Sequence, residues 1–131
     1  MTKSGPIPAF IDNPAISGRP ASYLTVTVAL APVLASWRES LFAHEWLRPD
    51  GSVKPAKEQT PPLQEKRALI EGKIKDGSPL ERPVLGIGIL DTVEIGSGRD
   101  TLLTLAAAGI SQASVHIPKS HLDEFRLFIK P

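Results

Sequence analysis

The sequence predicts an α+β fold, and three stretches carry that prediction. "SYLTVTVAL", residues 22 to 30, sets Leu24, Val26 and Val28 against Thr25 and Thr27, the period-two pattern of a half-buried strand. "LQEKRALIEGKIKDG" has Leu63, Ile70 and Ile74 near helical spacing among charged residues, with Gly77 placed to end a helix. From Arg82 to Pro118 strand-type and helix-type runs then alternate over short distances. The chain has 131 residues, 41% hydrophobic and 22% charged, with a formal net charge of +1. That suffices for one domain with a real core and is unlike a disordered chain.

The elements follow in order. Residues 1–21 form a Pro- and Gly-punctuated arm whose Ile7, Phe10, Ile11 and Ile16 can pack on the body or on a partner. The domain proper is expected over 22–131. After the first strand, Pro32 suits the first turn of a helix, "PVLASWRESLF", because its missing N–H has no intrahelical partner there. Residues 44–62, with four prolines and a Pro-Asp-Gly turn, read as a long exposed loop. The Leu63 helix comes next, then a buried-type strand "RPVLGIGIL" at 82–90. "TVEI" is its hairpin partner across Leu90-Asp91-Thr92. A helix over about 100–108 ends at Gly109, "ASVHIP" forms a strand at 113–118, and Ser120 opens a last helix with Asp123 in capping-box position. The expected sheet is small and mixed, flanked by helices.

Composition removes several chemistries. With no cysteine there is no disulfide, thiolate metal site or cysteine nucleophile. The longest apolar stretch, "YLTVTVALAPVLASW", is broken by Pro32 and too short to span a bilayer, and the first residues lack an apolar signal core. A cytoplasmic protein with no membrane partner is expected.

Candidate chemistry centres on "EIGSGRD", residues 94 to 100. Glycines between a strand and a helix let the backbone approach an anion, and the helix N-terminus offers unpaired N–H groups and a positive dipole end. Gly96, Ser97, Gly98 and Arg99 would form a phosphate cradle, Ser97 adding a hydroxyl and Arg99 a guanidinium. Spacing alone favours a plain tight turn, with Asp100 capping the helix and Arg99 on the surface, since no longer phosphate-loop motif is matched. Glu94 and Asp100 are the carboxylates best placed for Mg²⁺ beside a nucleotide. Lys66, Arg67 and Lys73, with Arg82, could make a basic face for DNA, or a solvated helix surface with Glu–Lys pairs. His44, His116 and His121 lack metal-ligand spacing and read as structural or surface residues. Trp37 and Trp46 read as core and loop anchors rather than base-stacking platforms.

The ordered run "PLERPVLGIGILDTVEIGSGRDTLLTLAAAGISQASVHIP", together with "YLTVTVAL", resembles the ParB/sulfiredoxin-like domain over roughly residues 22–118. The resemblance lies in a helix ending in glycine, Pro83 opening a strand and hairpin, Gly96-x-x-Arg99, Gly109 and a strand ending in Pro118. It implies that Gly96, Ser97, Gly98 and Arg99 bind the phosphates of ATP or another NTP, with Arg99, Glu94 and Asp100 as the catalytic set and Mg²⁺ beside them. Sulfiredoxins carry their catalytic cysteine in this turn, so the absence of cysteine excludes sulfinic-acid reduction. Partition proteins carry further arginines where this chain has Asp100 and Thr101. What the resemblance then implies is a short plasmid- or phage-borne member that binds and hydrolyses a nucleotide, with DNase activity, inhibiting conjugative or T-DNA transfer. The competing expectation is a non-catalytic module that keeps the fold and binds a transfer or defence protein through its Pro-rich segments.

Overall fold

A four-stranded mixed sheet organises the chain, in a computed structural model that describes residues 8–129. Strand β1 (Phe10–Ile11) precedes β2 (Tyr23–Ala29) and helix α1 (Leu30–Trp37). After a long connection come α2 (Pro61–Asp76), β3 (Leu80–Glu81), β4 (Val84–Ile87), β5 (Val93–Ser97), α3 (Arg99–Ala107), β6 (Gln112–Pro118) and the one-turn α4 (Leu122–Phe125). The sheet order is β2-β6-β4-β5. β2 and β6 are antiparallel, β6 and β4 parallel, and β4 and β5 form an antiparallel hairpin. The fold is α+β, as the sequence predicts.

Burial explains the elements. Val28 of β2 and Ala113, Val115 and Ile117 of β6 meet Val33 and Trp37 of α1 and Leu102, Leu103 and Leu105 of α3 in one core. Helix α2 contributes Leu63, Ile70 and Ile74 to its margin and ends at Gly77, whose φ of 76° is the left-handed cap geometry. The hairpin turn runs over Gly88–Asp91, slightly earlier than the sequence predicts, and Asp91 takes a φ of 62°.

One expectation changes, and one that the sequence left open is decided. The 44–62 segment is not an exposed loop throughout. Trp46 and Leu47 are buried, Leu47 bridges Val53, and Gln59 is buried beside them. The arm also docks: β1 pairs in parallel with β3, and Asn13 and Ile16 are buried. Ile7 and the rest of 1–7 lie outside the described residues, as do 130 and 131. Smaller corrections concern the ends. The first helix stops at Trp37 rather than Phe42, and Asp123 bonds Arg126 instead of completing a capping box with Ser120.

Candidate functional site

Gly96 and Ser97 are the last residues of β5, beside a bulge at Val84/Leu85, Arg99 opens α3, and Gly98 alone joins the two, so the strand runs past Ile95 into the expected glycine turn. Gly98 is the residue before the helix and adopts φ 82°, a left-handed conformation that costs an L side chain about 1–2 kcal/mol. Space closes the same position: a Cβ on Gly98 would lie 2.9 Å from the Cα of Pro83. The glycine is therefore required both by backbone angle and by close packing on the neighbouring strand. Among the described residues no side chain caps the first N–H groups of α3. Gly96 is exposed, so the outer side of the turn is open to solvent.

Ser97 is tied to the arm. Its Oγ accepts from Asn13 Nδ2 at 3.1 Å, and the same amide donates to the Arg82 carbonyl at 2.9 Å. The backbone N–H of Asn13 donates to His116 Nε2 at 3.1 Å, while His116 Nδ1 lies 3.2 Å from Thr25 Oγ1. With Nε2 accepting, the ring is neutral and its proton sits on Nδ1. Burial pushes the His116 pKa below its ordinary value. Nearby Asp12 opposes that shift and Arg82 reinforces it.

Arg99 is half-buried. Its guanidinium carbon lies 4.4 Å from the ring centroid of Phe42, and Nη1 is 3.5 Å from Glu45 Oε1. Its Nε is buried without a hydrogen-bond partner, and so is Ser40 Oγ. Both residues line a cavity of about 350 Å³ whose other walls include Trp37, Phe42, Leu90 and Glu94. That volume suits a small ligand.

Comparison of the chain with protein-family models, curated proteins and solved structures finds no match.

The remaining candidates separate. Glu94 reaches the cavity, but its carboxylate leans over Gly88, where an added Cβ would collide with it. Asp100 faces α2 instead, 4.0 Å from Lys66 Nζ. Glu94 and Asp100, the alternative carboxylates for Mg²⁺, thus have different neighbours. Among the described residues no group of three or more His, Asp or Glu side chains is arranged to hold a metal.

The expected basic face also breaks up. Lys66 and Lys73 are exposed on α2, but Arg67 is buried. Its Nη1 donates to the Lys54 carbonyl at 2.7 Å and to Gln59 Oε1 at 2.9 Å, and its guanidinium stacks on Trp46. Arg82 is bound to Asp12 at 2.7 Å and to Ser114 at 2.8 Å. Both arginines hold the connection and the arm in place rather than facing solvent as a pair. His121 holds the end of β4 by accepting from Ile87 N–H.

Sequence reasoning missed Asn13, Ser40, Phe42 and Glu45. Each lies far along the chain from the turn, and no local pattern ties it to Ser97 or Arg99. Among the described residues no helix is long and apolar enough to cross a membrane.

Proposed function

We propose that the chain binds the phosphates of a nucleotide, ATP or another NTP, at the Gly96–Arg99 turn, as the ParB/sulfiredoxin-like reading implies. The observation that carries this reading is the start of α3. A left-handed Gly98, an exposed Gly96 and uncapped helical N–H groups stand beside an arginine that opens onto a cavity. Such N–H groups and the helix dipole together favour an anion. Arg99 holds Glu45 only at 3.5 Å, so exchanging that contact for a phosphate gives up a weak bond for a stronger, charge-assisted one. Lys66 beside Asp100 reduces the repulsion the carboxylate would exert, modestly at this exposure.

Hydrolysis and DNA cleavage form the further part of the proposal. Gly96, Ser97, Gly98 and Arg99 would position the phosphates, and Mg²⁺ arriving with them would find Glu94 on the cavity wall. The residues support phosphate binding better than they support a protein-held metal, because Glu94 and Asp100 diverge. The test is calorimetric titration with ATP, GTP and CTP, with and without Mg²⁺. Binding by the wild type that Arg99→Ala weakens by about 1–3 kcal/mol supports the reading. Equal affinity of the two proteins removes the turn from the site. A role in plasmid or phage biology, such as inhibition of transfer, remains attached to the family reading and is tested by conjugation frequency with wild type and Arg99→Ala.

A second reading, the protein-interaction module, draws on a different observation. The Pro-rich segments invoked for it are docked on the body where they are described, while bulky apolar side chains stand exposed around the cavity mouth.

A further inference from the structure

Ile89 and Leu90 form the tip of the β4–β5 hairpin and are 95% and 79% exposed. Leu41 and Phe42, just after α1, are 86% and 49% exposed. The hairpin tip does not need bulky residues, because Gly88 and Asp91 supply its hydrogen bond and its positive φ. Single exposed apolar side chains are ordinary, but a cluster around one concavity marks a contact surface. Leu41, Phe42 and Leu90 all line the Arg99 cavity, with Trp37 and Ile95 deeper in it. An apolar projection and an apolar recess therefore adjoin on one face. The face runs along β5, which among the described residues has a sheet neighbour on one side only.

We propose that this face binds a second copy of the chain about a twofold axis, the Ile89–Leu90 tip of each copy lodged against the cavity mouth of the other. A twofold interface uses the same patch on both partners, so the patch must complement itself. This one does so in shape, by pairing projection with recess. It also does so in charge. Glu94 and Arg99 stand at opposite ends of the same stretch, and an antiparallel approach brings Glu94 of each copy toward Arg99 of the other. The long 3.5 Å contact to Glu45 leaves the Arg99 guanidinium able to take a second carboxylate. The β5 edge is covered at its start, where Ser36 Oγ accepts the Val93 N–H, so side chains rather than a continuous sheet join the copies. The inference does not rest on nucleotide binding, and it competes with it for Arg99 and the cavity mouth.

The test is sedimentation of the full chain over a concentration series. The wild type should rise from the 14.1 kDa chain mass toward twice that mass. Leu90→Lys, at a solvent-exposed turn, should weaken association about tenfold or more, as loss of an apolar anchor does. Its circular dichroism and unfolding midpoint should stay at wild-type values. Glu94→Arg should also weaken association, and adding Arg99→Glu should restore it by exchanging the charges. A wild type that stays monomeric at every soluble concentration overturns the proposal and leaves the face to another protein. Undiminished association of Leu90→Lys overturns it by placing the contact elsewhere, and failure of the double exchange overturns the twofold pairing of Glu94 with Arg99.

Discussion

Replacing Gly98 by alanine should destabilise the protein more than the same change at Gly77, and the difference measures how tightly the β5–α3 turn is packed. Both glycines have positive φ, 82° and 76°, so both substitutions incur the left-handed penalty of about 1–2 kcal/mol. Around Gly77 there is nothing within 4 Å of an added Cβ. At Gly98 the new atom would lie 2.9 Å from Pro83 Cα and 3.2 Å from its Cβ. The Pro83 backbone, just before β4, cannot rotate away: its carbonyl accepts from His116 N–H at 2.9 Å. The strand or helix must shift instead, adding about 1–3 kcal/mol, as overpacking does. Gly98→Ala should therefore lose about 2–5 kcal/mol and Gly77→Ala about 1–2 kcal/mol. Urea unfolding followed by tryptophan fluorescence reads both values, since Trp37 and Trp46 are buried. Equal losses at the two sites would show that the turn is not closed against Pro83, and the rigid cradle inferred from it would fall.

Further outcomes follow from the buried polar groups. Stability should be complete above about pH 6.5 and decline below it, because the unfolded chain protonates His116 near its ordinary value while burial holds the native ring below that value. The decline should level off once the native ring also protonates, and His116→Asn should flatten it in urea titrations compared at several pH values. Asn13→Ala removes the side-chain bonds to Arg82, Ser97 and Ala15, and should cost about 1–3 kcal/mol while raising hydrogen exchange in residues 10–16. Arg67→Ala should lower stability by about 2–3 kcal/mol, measured by urea unfolding, because it removes charged hydrogen bonds and the stack on Trp46. A stability-neutral Arg67→Ala would return that residue to the surface role expected from sequence. Thr104→Val should be neutral or stabilising by thermal unfolding, because Thr104 Oγ1 is buried without a hydrogen-bond partner.

The docked arm bears on the geometry around Ser97. The Asn13 side chain joins Ser97 to the Arg82 carbonyl. Ser97 is therefore held by accepting a bond, and its own hydroxyl proton remains available to a ligand oxygen. Asp12 pairs with Arg82 at the adjacent position, so the arm and the core strand stabilise the same corner. A truncation beyond Asn13 should consequently affect both stability and the site.

Local periodicity determined much of the architecture. The alternation in "YLTVTVAL" set β2, Gly77 and Gly109 ended their helices at left-handed φ values, and the hairpin before Gly96 formed because each signal acts over a few residues. The strand-glycine-helix junction was equally legible, since φ preference belongs to glycine itself. Long-range packing decided the rest. The prolines of 44–62 suggested exposure, yet Trp46 gains a buried position only when α2 brings Arg67 over its ring. Arg67 looked like one more cation of a helix surface, and only the docking of that connection turned it into a core ligand for two oxygen atoms. The partners of Ser97 and Arg99 come from Asn13, Phe42 and Glu45, positions that no spacing rule connects to the turn. Backbone preference is written residue by residue, whereas the direction and charge environment of a side chain depend on which distant segments the core brings against it.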